Sequence, residues 1–211
     1  MKKLNMQKNT APGVLISFCG LDGCGKTTMI TRLASDLRQK YDVYLTKQPT
    51  DNVRSSAVFR TYMDSPDHSA YDYRSLSLLA ASDRLQHTNK VILPMIEDGK
   101  VVISDRYFYS CLANLRARGF ILDKWIYEIS KSVLKPDISF FLDVSVETAV
   151  ERIRSRVNER DRYIDMELQY KLRREYINIC KANSGILIPS DISPDETYKL
   201  IIKEVKKIME V

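Results

Sequence analysis

The sequence predicts an α/β fold, a five-stranded parallel sheet with helices on both faces. Two observations carry this. Short apolar runs of buried-strand type alternate with longer segments of helical pattern, and parallel strands joined by right-handed crossovers are the simplest way to bury both. The first apolar run, Val14-Leu15-Ile16-Ser17-Phe18, also passes through a glycine-rich turn into a helical segment from Met29 to Gln39. Strand, glycine-rich turn and helix in that order frame a phosphate-binding loop, so the expected fold is of the phosphate-loop, three-layer type.

The turn itself reads Cys19-Gly20-Leu21-Asp22-Gly23-Cys24-Gly25-Lys26-Thr27-Thr28. Gly20 and Gly25-Lys26-Thr27 satisfy the spacing Gly-x-x-x-x-Gly-Lys-Ser/Thr. Glycine lets a phosphate approach the backbone, successive N–H groups point inward, and the helix N-terminus adds partial positive charge. Lys26 is a point charge for β- and γ-phosphates, and the Thr27 hydroxyl is placed to reach Mg²⁺. The expected ATP-binding set is Gly20, Gly23, Cys24, Gly25, Lys26, Thr27 and Thr28. An ordinary glycine-rich turn is the competing account, and the flanking strand and helix weigh against it. The dinucleotide-binding fingerprint fails because Thr28 stands where its last small residue belongs.

The remaining elements follow in order. Asp42-Val43-Tyr44-Leu45-Thr46 is a short strand ended by Lys47-Gln48-Pro49. Thr50 to Ser69 is polar and mixed, a short helix within loops. Ala70 to Asp98 reads as a long helix with a break near Pro94, and Gly99 ends it. Lys100-Val101-Val102-Ile103-Ser104 is a buried-strand run with Asp105-Arg106-Tyr107 at its end. Tyr107 to Leu134 holds one or two helices broken at Gly119. Ile138-Ser139-Phe140-Phe141-Leu142 is a strand ending at Asp143, Val146 to Val157 is helical, and 158–165 is a charged connector. Met166 to Ala182 is a helix, Gly185-Ile186-Leu187-Ile188 the last strand, and Pro194 to Met209 the closing helix. Residues 1–12 are expected to be a flexible tail and 13–211 a single domain with a lid at about 154–165.

A length of 211 residues allows one sizeable core. No apolar run approaches the ~20 residues of a membrane span, and the polar, basic start is no secretory signal. The four cysteines lack paired spacing, which points to free thiols and a cytoplasmic protein. Cys24 inside the loop reads as an inert filler. The net charge of +6 is spread along the chain, which suits small anionic ligands and does not single out a nucleic-acid polymer or a membrane surface.

In such sheets, ligands sit off the carboxyl ends of the strands, where the phosphate loop, Lys47-Gln48-Pro49, Asp105-Arg106 and Asp143 gather. Asp105 after an apolar strand suits Mg²⁺ opposite Thr27, with a helix N-cap as the alternative. Arg106 and Arg84, the latter within Ser82-Asp83-Arg84-Leu85-Gln86-His87, can clamp a second, accepting phosphate. The connector and its approach contain Arg154, Arg156, Arg160 and Arg162, a lid whose arginines would neutralise charge on a transferred phosphoryl group.

These motifs together resemble the thymidylate kinases among the nucleoside monophosphate kinases. The phosphate loop with Asp22, the segment Asp83-Arg84-Leu85-Gln86-His87, Asp105-Arg106-Tyr107 with Ser110, and Pro136-Asp137 through Leu142-Asp143-Val144 are each similar to that family's patterns, over about residues 14–210. The resemblance implies ATP and Mg²⁺ at Lys26, Thr27 and Asp105, and a nucleoside monophosphate gripped by Arg84 and Arg106. Asp22 would approach the acceptor's sugar and phosphate. Because Gly23 takes the position that carries the catalytic arginine in some members, the lid arginines Arg160 and Arg162 are expected to supply it. A homodimer through helices is also implied. The acceptor pocket departs from the family pattern: Ala80 replaces a stacking phenylalanine, Asn114 a tyrosine beside the deoxyribose, and Gln48 a glutamate. Tyr73 and Tyr109 are the aromatic side chains considered as substitutes for the lost ring.

The expected function is ATP-dependent phosphorylation of a nucleoside monophosphate, with dTMP the first candidate. The alternatives are a kinase for a different nucleotide or nucleoside, and a nucleotide-binding regulatory protein without turnover.

Overall fold

The computed structural model describes residues 2–64, 71–160 and 163–210. Its strands are β1 (Val14–Gly20), β2 (Val43–Lys47), β3 (Val101–Asp105), β4 (Ile138–Asp143) and β5 (Ile186–Pro189). They form one sheet of order β2-β3-β1-β4-β5 in which every pairing is parallel. Successive residues of β1 from Leu15 to Cys19 are each 0% exposed, so alternating side chains are covered on both sides and helices must lie on both faces. The five strands are those expected, but β1 runs on to Gly20 because its pairing with β4 continues to Gly20↔Leu142, beyond the apolar run.

The helices are α1 (Lys26–Leu37), α2 (Asp51–Arg54), α3 (Ala57–Asp64), α4 (Tyr73–His87), α5 (Leu93–Glu97), α6 (Phe108–Ala117), α7 (Trp125–Ser130), α8 (Val146–Arg154), α9 (Met166–Ala182) and α10 (Pro194–Val205). The long helix expected over 70–98 is α4 and α5 joined through a wide π-type turn, Thr88–Ile92. Pro94 has no N–H and its ring crowds the carbonyl four residues back, so the ladder widens there without stopping. Among the described residues no helix is long and apolar enough to cross a membrane.

The stretch before β1, expected to be a flexible tail, is tied down along part of its length. Leu4 is buried and its N–H donates to Asn183 Oδ1 at 2.9 Å. Gln7 forms a parallel bridge with Leu134, its N–H donating to Val133 O at 2.9 Å and its carbonyl accepting from Lys135 N at 2.6 Å. Asn9 Nδ2 donates to Asp137 Oδ2 at 2.8 Å. One buried leucine, a single backbone bridge to Leu134 and the Asn9 contact hold a polar segment whose composition shows nothing of it.

Candidate active site

β1 is central, with β3 on one side and β4 on the other, so the crevice above its carboxyl end is where the chain's direction of winding switches. Pairing of Phe18 with Asp105 puts the phosphate loop beside Asp105-Arg106. The ladder continues past the strands, with Arg106 N donating to Phe18 O at 2.8 Å and Gln48 N to Asp105 O at 3.0 Å.

Gly25 caps α1 in the left-handed region, φ 89°, which turns the first helical N–H groups toward the loop's hollow. Gly23, at φ 80°, lies so close to α8 that a Cβ would sit 2.1 Å from Ala149 O. Lys26 is buried, its Nζ donating to Leu21 O at 2.7 Å and Gly20 O at 3.3 Å, with Cys24 Sγ at 3.6 Å. Thr27 and Thr28 are exposed at the start of α1. Asp105 Oδ1 is buried and takes no hydrogen bond, and the N-cap of α6 is Tyr107, so Asp105 is not a helix cap.

Arg106 has a left-handed backbone, φ 66°, held by Ser104 Oγ, which donates to its carbonyl at 2.7 Å. Its guanidinium donates from Nη2 to Asp22 Oδ1 at 2.6 Å, and from Nη1 to Gly20 O at 3.1 Å and to the Tyr176 hydroxyl at 2.8 Å. Tyr176 donates in turn to Ser110 Oγ at 3.1 Å. Burial works against the Arg106 charge, but Tyr176, Asp22 and Asp105 around it outweigh burial and hold its pKa well above the ordinary arginine value.

Arg84 is 4% exposed, donates from Nη1 to Ala80 O at 2.9 Å, and leaves Nε buried without a partner. Beneath it Gln48 Nε2 lies 3.1 Å from His87 Nδ1, and His87 Nε2 lies 2.9 Å from Thr46 Oγ1. Burial lowers the His87 pKa, so a neutral ring faces a neutral amide where the family pattern has a carboxylate. Asp83 accepts from Thr50 N at 2.7 Å and fixes the turn after β2.

One residue of this cluster was not singled out in the sequence. Arg54, from the one-turn helix α2, donates from Nε to Pro49 O at 2.9 Å. Burial lowers its pKa first, and the charges of Arg106 and Arg84 lower it further while Asp22 and Asp105 raise it. It therefore shares one electrostatic neighbourhood with all four.

Ala80 lies on α4 one turn before Arg84 and Asn114 lies on α6, where Asn114 is already engaged. Its Nδ2 donates to Ser110 O at 2.9 Å and its Oδ1 accepts from Arg118 Nη1 at 2.9 Å. Tyr109 is fully buried in the core and does not reach the pocket; Tyr73 is partly buried. Arg160 is exposed and has no hydrogen bond or ion pair among the described residues, and Arg162 lies outside them.

A phosphate loop on the central strand of a parallel sheet, with an aspartate and an arginine at the neighbouring strand's end, defines a phosphate-loop nucleotide-binding protein. The family model described as thymidylate kinase matches residues 18–201. A probable thymidylate kinase of Pyrococcus horikoshii is 39% identical over 189 residues, 87% of this chain and 91% of the relative. A thymidylate kinase of Geobacillus sp. is 36% identical over 203 residues, 92% of this chain and 96% of the relative. The chain belongs to the thymidylate kinase family, a family of nucleoside monophosphate kinases.

Proposed function

We propose that this chain transfers the γ-phosphoryl group of ATP to dTMP, giving dTDP. The observation that carries the reading is the ion pair between Arg106 and Asp22, which joins a phosphate-donor loop to an acceptor clamp in one crevice. The names of the curated relatives support the choice of acceptor.

Lys26 would leave Leu21 O for the donor's β- and γ-phosphates, a short swing that costs the loop no rearrangement. Thr27 and Asp105 would hold Mg²⁺, and the orphaned, buried Oδ1 of Asp105 fits that role. Held there, Mg²⁺ would supply positive charge against the donor's phosphates. Arg54, Arg84 and Arg106 would take the acceptor phosphate, the unpartnered Arg84 Nε supplying one N–H. Asp22 would then be released toward the acceptor's sugar and phosphate. Arg160 and Arg162, from a lid at about 154–165, would neutralise charge on the group in flight. Positioning and charge compensation do the chemistry, with no covalent intermediate.

An ADP-release assay over deoxynucleoside and ribonucleoside monophosphates, with nucleosides as controls, tests the reading. We expect turnover with dTMP, and Lys26→Ala to lose more than about a hundredfold of it while staying folded. ATP binding without acceptor-dependent turnover would overturn the kinase reading in favour of a regulatory one.

A further inference from the structure

Three buried side-chain polar atoms lack a hydrogen-bond partner among the described residues: Asp105 Oδ1, Arg84 Nε and Gln48 Oε1. The first two have roles in the reading above, and Gln48 Oε1 has none. Gln48 is 0% exposed and follows the end of β2, its backbone N–H bonded to the Asp105 carbonyl. The other half of its amide accounts for the orphan. Nε2 faces three groups at once: His87 Nδ1 at 3.1 Å, Thr88 Oγ1 at 3.4 Å and the Arg84 carbonyl at 3.5 Å. A carbonyl only accepts, so the amide turns its NH2 group toward Arg84 O and leaves Oε1 unmatched. With a donor opposite it, His87 Nδ1 must be bare. The ring proton then sits on Nε2, which donates to Thr46 Oγ1 at 2.9 Å. These bonds tie the last turn of α4, which carries Arg84, to the end of β2. Charged side chains around the ring are Asp83, Arg84 and Lys90 on its own helical run, Lys47 on β2, Asp105 on β3 and Arg54 on α2. On α6, Arg116 is paired with Glu175 at 2.7 Å. Burial lowers the His87 pKa, and of these charges Asp83 alone shifts it, upward, without overcoming burial.

We propose that Gln48 is a positioning residue for the acceptor clamp: it locks His87 in the neutral form protonated at Nε2 and anchors the turn that carries Arg84, so that no titrating charge lies beside the clamp. The inference rests on the acceptor site assigned above. A carboxylate at this position would face the Arg84 carbonyl and a bare Nδ1, both of them acceptors. It would draw a second proton onto the ring, and His87 would carry charge at neutral pH. When that proton left at higher pH, an unbalanced negative charge would remain near a site built for a phosphate dianion. The amide keeps the shape and removes the titration.

The test pairs imidazole nitrogen NMR with calorimetric binding of dTMP, and separately of ATP, to the wild-type chain and to Gln48→Glu. The chain has two histidines, so His68→Asn leaves a single imidazole to read. In the wild type, His87 should be neutral and protonated at Nε2 at about pH 7. In Gln48→Glu its titration should rise by about one unit or more. Between about pH 7 and about pH 8.5 the dTMP phosphate is already largely a dianion, its second pKa being about 6. Over that window wild-type affinity for dTMP should stay within about twofold, while Gln48→Glu should lose about threefold or more as His87 gives up its proton. ATP affinity should stay within about twofold in both chains. A wild-type His87 that is charged or protonated at Nδ1 would overturn the proposal. So would a Gln48→Glu chain whose dTMP affinity stays level with pH, or whose ATP affinity falls in step. If Gln48→Glu fails to fold, Gln48→Met decides. It removes the donor without adding charge, so the Nδ1–H form should reach about a third or more of the ring population, with dTMP affinity down about threefold or more. A ring that keeps Nε2–H in full beside methionine would overturn the inference. Because binding is read without turnover, a chain that binds dTMP with this pH signature but does not phosphorylate it would refute the kinase reading and leave the role of Gln48 supported.

Discussion

Arg54 comes within the electrostatic reach of Arg106 and Arg84, the proposed acceptor clamp, from the single-turn helix α2, where its Nε donates to Pro49 O at 2.9 Å. In the sequence it sits in a polar stretch with no period and no motif, so nothing local marks it. Arg84 and Arg106 were legible because each sits inside a patterned segment, one on a long helix and one after an apolar strand. Tyr176 shares Arg54's difficulty. It reaches Arg106 through packing between helices far apart in the chain, and a hydroxyl delivered that way leaves no spacing to read. Gln48 shows the converse. Its departure from the family pattern was visible, but only the structure shows the amide set against a ring that burial keeps neutral. Arg54→Ala is expected to raise the acceptor KM about tenfold to a hundredfold, the ~1.5–3 kcal/mol of a charge-assisted hydrogen bond, with the ATP KM unchanged. Steady-state kinetics with each substrate varied in turn checks this; an ATP KM rising in step would place Arg54 elsewhere.

Among the elements, α8 links the donor loop to the proposed lid. It starts with Ser145 capping Thr148 N at 3.1 Å, presses Ala149 against Gly23, and ends at Arg154, short of the expected Val157 and at the start of the proposed lid segment. The helical pattern made α8 legible from Val146, and α9 agrees with expectation end to end, because long amphipathic runs carry their own period. The contact with Gly23 was not legible, since glycine in a phosphate loop is already explained by its dihedral. Gly23→Ala is predicted to be worse than a loop substitution should be. A methyl group 2.1 Å from a helix carbonyl must move α8 or the loop, on top of a left-handed backbone that alanine disfavours. We expect a stability loss of about 1–4 kcal/mol together with a raised ATP KM. Denaturant melts and ATP titration check the pair; an unchanged ATP KM would show that α8 yields without disturbing the donor loop.

For the molecule as a whole, the five-stranded parallel sheet followed from alternation of strand and helix, while the strand order that centres the phosphate loop and the docking of residues 4–9 did not. That segment joins the strand β5 end of the fold to the start of β1 by way of Asn183, Val133 and Asp137. Deleting residues 1–9 should cost about 2–4 kcal/mol, from one buried leucine and its hydrogen bonds, and lower the Tm by several degrees with little change in kcat. A melting point equal to wild type would show the segment to be held too weakly to matter. The four thiols have a consequence of another kind. Cys19, Cys24, Cys111 and Cys180 are all buried, and burial pushes the Cys19 and Cys180 thiols up to about 11. An alkylating reagent needs both access and thiolate, so each sulfur is silent until its own neighbourhood opens. The four lie on β1, in the phosphate loop, on α6 and on α9, so this chain carries unlabelled probes of local opening on both sides of its crevice, readable residue by residue by mass after a timed quench.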